Sequence, residues 1–135
     1  MDIIYLEISK ISPHEEVDQD YLIRLEQIIR KDKHLKKPIV VDKTHKIILD
    51  GHHRWTIAKK IGLKRIPVVE LDIFDDNISV LSFREGIKVS KELVVESGLL
   101  AKLLPYKTTK HVWGEDKTPL IEIIPDILIP LSELF

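Results

Sequence analysis

Lys46-Ile47-Ile48-Leu49-Asp50-Gly51-His52-His53-Arg54-Trp55 decides the reading of this chain, because an apolar strand pattern gives way within five polar or glycine residues to a helical one. Behind the junction, Trp55, Ile57, Ala58 and Ile61 recur at helical spacing. Gly62 offers the left-handed residue that ends a helix, and Leu63 the hydrophobic contact that accompanies it. Lys59 and Lys60 place cations in the last turn, where the helix dipole favours them. Asp50 to Arg54 therefore crown a helix N-terminus, where free backbone N–H groups point outward and attract anions.

Upstream of that junction, Asp2 to Ile8 alternates as a strand and runs into the polar, proline-punctuated loop Ser9-Lys10-Ile11-Ser12-Pro13-His14-Glu15-Glu16. Asp18 is a good N-cap for the next helix, with Val17 and Leu22 as a hydrophobic staple. Leu22, Leu25, Ile28 and Ile29 form its inward stripe, and it ends near Lys33. Pro38 to Val41 and Lys46 to Leu49 flank Asp42-Lys43-Thr44-His45 as a hairpin. Downstream, Ile66 to Ile73 and Ile78 to Phe83 read as strands. Ser90 caps a helix that carries Leu93 and Val94 and stops at Gly98. From Pro105 onward short apolar runs alternate with prolines, which predicts extended chain. Strands and helices mix without regular alternation, so the expected class is α+β: a small mixed β-sheet with packed helices, in a single domain over residues 1–135.

Composition excludes several functions. A net charge of -1 gives no basic footprint for nucleic acid or an acidic membrane, so any anion site must be local. The absence of cysteine removes a thiol nucleophile, a cysteine zinc site and a disulfide framework, and agrees with a reducing cytosol. No apolar run reaches membrane-spanning length and the N-terminus lacks a signal-peptide layout, so the expected location is the cytoplasm. Many Lys, Glu and Ile residues beside a single Met resemble a thermophile's composition.

A second polar constellation, Tyr106-Lys107-Thr108-Thr109-Lys110-His111, sets two hydroxyls among three potential cations, a pattern that suits a tetrahedral anion as well as a solvated loop. Blander readings exist for the other candidates too. His52 and His53 are adjacent on a helix and point apart, which argues against zinc. Glu15 and Glu16 favour the start of the following helix, Asp50 serves as an N-cap, and Arg30 to Lys37 reads as a solvated helix end. The combination carries more than any one of them.

Asp50-Gly51-His52-His53-Arg54-Trp55, followed by Ile66-Pro67-Val68-Val69-Glu70-Leu71-Asp72, resembles the ParB/sulfiredoxin-like superfamily, and within it the archaeal free serine kinases. Leu6 to Glu15 looks like that family's first strand and catalytic loop, and Lys37-Pro38 like its second-strand entry. Lys107-Thr108-Thr109-Lys110-His111 resembles its C-terminal KTTRH element, and the ending from Ile124 to Phe135 is similar as well.

The resemblance implies a ParB/sulfiredoxin-like fold and phosphoryl transfer from ATP or ADP to free L-serine, giving O-phospho-L-serine for cysteine biosynthesis. It implies Glu15 as the base for the serine hydroxyl, and Asp50 as the residue that orients the nucleophile or holds Mg²⁺. Gly51, His52, His53 and Arg54, with Lys37, would take the nucleotide phosphates. Thr108, Thr109, Lys110 and His111 would grip the group in transfer, and Lys107, Thr109 and His111 would contact the substrate. Lys110 stands where the family often has Arg, which keeps the charge and loses the bidentate fork. The chain also looks shorter between Phe83 and Ser90 than the serine kinases it resembles.

The rival readings are a ParB-like nucleotide-binding or DNA-associated module and a metal-dependent nuclease built on Asp50, Glu15 and the paired histidines. The stretch after Gly98 looks too short for the helix-turn-helix and dimerisation segments of a partition protein, and no nucleic acid or membrane partner is expected. A sulfiredoxin activity fails for want of a cysteine. The usual nucleotide signatures, GxxxxGK[ST] and the protein-kinase HRD and DFG sets, are missing.

Overall fold

The computed structural model describes residues 1–135. Its centre is a four-stranded sheet in the order β1 (Ile4–Glu7), β5 (Arg65–Leu71), β3 (Ile39–Asp42), β4 (Ile48–Asp50). β3 and β5 are parallel, and the other two pairings are antiparallel. Because successive side chains on a strand point to opposite faces, each strand feeds two cores. Ile39, Val41, Ile48, Ile66 and Val68 face one core, and Val40, Ile47, Leu49 and Val69 face the other. This double burial explains why the sequence here reads as nearly continuous apolar runs.

Helices α1 (Gln19–Asp32) and α2 (His52–Ile61) cover the first face, with Leu22, Ile29, Trp55, Ile57 and Ala58 in the core. The second face is covered by α3 (Lys91–Leu99), the single turn α4 (Leu120–Ile123) and a three-stranded sheet of β6 (Ile78–Ser82), β7 (Thr109–Trp113) and β8 (Thr118–Pro119). The short strands β2 (His34–Leu35) and β9 (Ile129–Pro130) pair antiparallel and tie the C-terminal end back to α1. No helix is long and apolar enough to cross a membrane.

Local chemistry sets most of these boundaries. The Asp18 carboxylate accepts from the amides of Asp20 and Tyr21, as an N-cap should. Gly62 caps α2 at φ 94°, with the Leu63 amide bonded back to the Ala58 carbonyl and Leu63 buried. Asp42 is buried and clasps its own hairpin, accepting from the amide and Nδ1 of His45 and from the amide of Ile73. Those bonds outweigh burial and hold its carboxyl below the usual range.

Three expectations are corrected. Ile28 is exposed rather than part of the inward stripe, because six residues carry it about 120° around the helix from Leu22. Gly98 does not stop α3: the helix runs on to Leu99, and a Cβ at Gly98 would meet Ile47 Cδ1 and Cγ1 at 2.7 Å. That glycine is there to let helix and sheet approach. The chain after Pro105 is not wholly extended, since Pro119 opens the helical turn α4 and Leu131–Glu133 forms a 3-10 turn. A proline at a helix start loses no hydrogen bond and brings a preset φ.

Candidate functional site

The site forms where β4 hands over to α2. Gly51 is the N-cap of α2 at φ 107°, in the left-handed region, and a Cβ there would lie 2.5 Å from Ile39 Cγ2. The tight turn therefore seats the start of α2 directly on β3. Asp50, Gly51, His52, His53 and Arg54 line a cavity of about 240 Å³ together with Glu15, Thr109, Leu49, Tyr21, Leu25 and Ile121. Two stretches nearly a hundred residues apart, around Glu15 and Thr109, thus meet the Asp50–Arg54 motif in one place.

Glu15 is brought there by backbone lacing. The Ser12 amide bonds to the Lys46 carbonyl and the Ile48 amide to the Ser12 carbonyl, which fixes the loop beside the hairpin. Two further bonds, Glu16 amide to Leu104 carbonyl and Leu104 amide to His14 carbonyl, fix its other edge. The Glu15 Oε1 then accepts from the amides of Thr108 (3.1 Å) and Thr109 (2.8 Å) and from the Thr109 hydroxyl (2.9 Å). These three bonds all fall on Oε1, and the Lys107 amide also lies towards the carboxylate. Burial pushes the Glu15 carboxyl up, and the amide and hydroxyl bonds from Thr108 and Thr109 only partly offset it. A raised carboxyl beside a cavity is suited to taking a proton.

Beneath Glu15 lies a cluster of buried histidines. His14 is fully buried, with Nδ1 2.7 Å from the Ile48 carbonyl and Nε2 2.9 Å from the Thr109 hydroxyl. Its ring packs edge-on against His52 and His111, with centroids 4.6 and 5.7 Å away. Burial drives all three below the usual histidine range, His14 to about 4 and His111 to about 3, so they are neutral near pH 7. Both ring nitrogens of His111 lack a hydrogen-bond partner, although the Leu49 carbonyl is nearby.

Several side chains expected to face phosphate are occupied elsewhere. His52 turns inward and its Nε2 accepts from the His14 amide. His53 accepts from the Asp18 amide at the start of α1, and its ring meets Tyr21 edge-on. The Arg54 guanidinium donates to the Pro38 carbonyl at 3.0 Å and to Asp50 Oδ2 at 3.3 Å. What this helix start offers an anion is chiefly its backbone amides.

Lys37 reaches away, to the carbonyls of Ile121 and Ile124 and to Asp126. The alternation of β7 sends Lys110 to the face opposite Thr109, where its ammonium sits 5.5 Å from the Phe83 ring centroid, and leaves His111 buried behind His14. Thr108 is buried and its hydroxyl donates to the Pro105 carbonyl, so its amide is its contribution. Lys107 stays close, and its charge helps to depress His53.

His14 stands beside Glu15 but belongs to no motif of its own, and nothing in the local sequence marks Tyr21 or Ile121 as lining the cavity. No group of three or more His, Cys, Asp or Glu side chains is placed to hold a metal. A cation bound mainly through substrate phosphates and water needs only one or two carboxylates, and Asp50 fits that demand.

Comparison with known proteins follows the same outline. A family model described as the ParB N-terminal domain matches residues 1–85. An ATP-dependent L-serine kinase from Staphylothermus marinus is 32% identical over 88 residues, which cover 62% of this chain and 35% of that protein. An ADP-dependent L-serine kinase from Thermococcus kodakarensis is 33% identical over 100 residues, covering 71% of this chain and 41% of that protein. The chain therefore spans well under half the length of these curated relatives. Among solved structures, a free serine kinase in complex with AMP superposes with a TM-score of 0.82 at 20% identity, over 99% of this chain and 94% of that one, a likeness of fold.

Proposed function

The chain belongs to the ParB N-terminal domain family, and from that premise we propose that it phosphorylates free L-serine, with ADP or ATP as donor. One observation carries the reading: a raised carboxylate, Glu15, and a second carboxylate, Asp50, face one cavity at the N-terminus of α2. The names of the two curated relatives, one ATP-dependent and one ADP-dependent, support the reaction and leave the donor to experiment.

In this reading the amides heading α2 take the donor's phosphate chain, and Lys107 and Arg54 supply positive charge beside it. Glu15 receives the serine hydroxyl proton on Oε2, the oxygen not taken by the three bonds from Thr108 and Thr109. The serine oxygen bonds to the terminal phosphorus as the bond from that phosphorus to the bridging oxygen breaks. AMP or ADP leaves with the bond's electrons. Mg²⁺ held by Asp50 and the phosphates would neutralise charge on the transferring group. Thr109 keeps Glu15 in place through both its amide and its hydroxyl. The cavity lies below the usual span of small-molecule sites, so it suits the reacting ends better than a whole nucleotide.

The test is to incubate the purified protein with Mg²⁺, L-serine and ADP or ATP and follow O-phosphoserine by mass spectrometry. Serine-dependent product, lost in Glu15→Gln while nucleotide affinity persists, is the expected result. Folded protein that binds nucleotide and makes no phosphoserine would transfer the reading to a nucleotide-binding module, which the family match also accommodates.

A further inference from the structure

Hydrogen counting along Glu15, Thr109 and His14 shows one hydrogen too few. The Ile48 carbonyl can only accept, so the His14 Nδ1 at 2.7 Å carries the proton. A neutral His14 then offers a bare lone pair at Nε2, 2.9 Å from Thr109 Oγ1. The ionised Glu15 offers lone pairs at Oε1, 2.9 Å from the same oxygen. Thr109 has one hydroxyl hydrogen for two acceptors. Once Glu15 is protonated on Oε2, its Oε1 becomes a neutral carbonyl oxygen and a weaker acceptor, because hydrogen bonds to ionised groups are about twice as strong as neutral ones.

We propose that the Thr109 hydroxyl is a two-position switch that donates to Glu15 while the carboxylate is ionised and to His14 Nε2 once Glu15 has taken a proton. His14 is then a positioning residue for the base, because it gives the displaced hydroxyl a partner and stabilises the protonated form of Glu15. The only proton that changes owner is the one moving from the acceptor hydroxyl to Glu15 Oε2. Thr109 merely rotates. The proposal rests on Glu15 being the base of the reaction above, but the switch itself is a property of the folded protein and can be tested without turnover.

The charged and titratable groups around the switch are His52, His53, Asp50 and Arg54 from the β4–α2 junction, His111 and Lys107 from the β7 side, and Tyr21 from α1. All are retained in the variants that test it. The Glu15 carboxyl is titrated by ¹³C NMR of glutamate-labelled protein, its signal identified by its loss in Glu15→Gln. Thr109→Val removes the charge-assisted bond and should raise the Glu15 midpoint by about one pH unit, while Thr109→Ser should restore it. His14→Phe removes only the alternative acceptor and should move the midpoint the other way, downward. His14→Gln should lie between His14→Phe and the parent, and it covers the case in which the apolar ring fails to fold. Midpoints that shift in the same direction in the Thr109→Val and His14 variants, or that stay within about 0.2 units of the parent in both, overturn the switch. Where the protein turns over serine, the acidic limb of kcat/KM should follow the same opposite shifts, with KM for serine little changed in the His14 variants, whose side chain is buried behind Thr109 and outside the cavity lining. Absence of serine turnover removes the kinase reading alone, because the carboxyl titration still decides the switch.

Discussion

Gly51→Ala separates two reasons for a glycine at the head of α2, packing and close approach of a nucleotide. In the folded protein Gly51 has φ 107°, and a Cβ would meet Ile39 Cγ2 at 2.5 Å, Ile39 Cβ at 2.8 Å and the Arg54 guanidinium at 3.1 Å. Ile39 is fully buried at the start of β3 and cannot retreat. The left-handed backbone costs an alanine about 1–2 kcal/mol, and overpacking a filled core adds about 1–3 kcal/mol. The sum, roughly 2–5 kcal/mol, is a large share of the 5–15 kcal/mol typical of a domain this size. Urea unfolding without nucleotide should show the midpoint falling while the m-value stays constant. Ile39→Ala destabilises by itself, so the contact is read from the cycle: Gly51→Ala should cost less in an Ile39→Ala background than in the parent, because Cγ2 is gone and Cβ stays. A variant destabilised by less than about 1 kcal/mol, yet unable to bind nucleotide, would refute the packing argument and leave close approach as the reason.

The remaining predictions concern pH and the C-terminal tie. His14 and His111 titrate near 6.5 when unfolded and are held by burial to about 4 and about 3 in the fold, so the folded state binds fewer protons in that window. Their contribution is complete above pH 6.5 and is lost as pH falls towards 4; thermal unfolding should show roughly 3–5 kcal/mol less stability at pH 4.5 than at pH 7, and a flat profile would count against neutral buried imidazoles. Lys37→Met should cost about 1–2 kcal/mol and speed amide exchange in residues 121–129, because the amine anchors the carbonyls of Ile121 and Ile124. Unchanged exchange together with weakened nucleotide binding would return Lys37 to the phosphate role that the resemblance implied.

What was legible in the sequence was whatever short-range chemistry dictates. Asp18, Gly62 and Ser90 act as caps because a cap needs only its own helix end. The β3–β4 hairpin and the strand to helix junction at Asp50 follow from patterns within short stretches of neighbouring residues. Gly98 misled because a glycine that ends a helix and one that admits a neighbouring side chain look alike until Ile47 is in place. In the site, residue types were readable and directions were not. The strand alternation that parts Lys110 from Thr109, and the inward turn of His52 onto the His14 amide, depend on partners distant in sequence. His14 shows this most plainly, since its neighbours Ile48, His52, Thr109 and His111 all lie more than thirty residues away.

The two parts of the site come from different parts of the chain, and this division bears on how the chemistry is built. Residues 1–85, the stretch matched by the family model, supply the helix start, Asp50, Gly51 and the loop that carries Glu15. They fix the Glu15 loop beside the hairpin, but they do not supply the hydrogen bonds to its carboxylate. The amides of Thr108 and Thr109 and the Thr109 hydroxyl all arrive on β7 and the turn before it, as does the His111 ring that packs against His14. The carboxyl is raised by burial, and its bonds to Thr108 and Thr109 come from β7 and the turn before it. The matched portion thus provides a helix N-terminus suited to an anion, and the C-terminal segment gives the neighbouring loop a positioned, raised carboxylate.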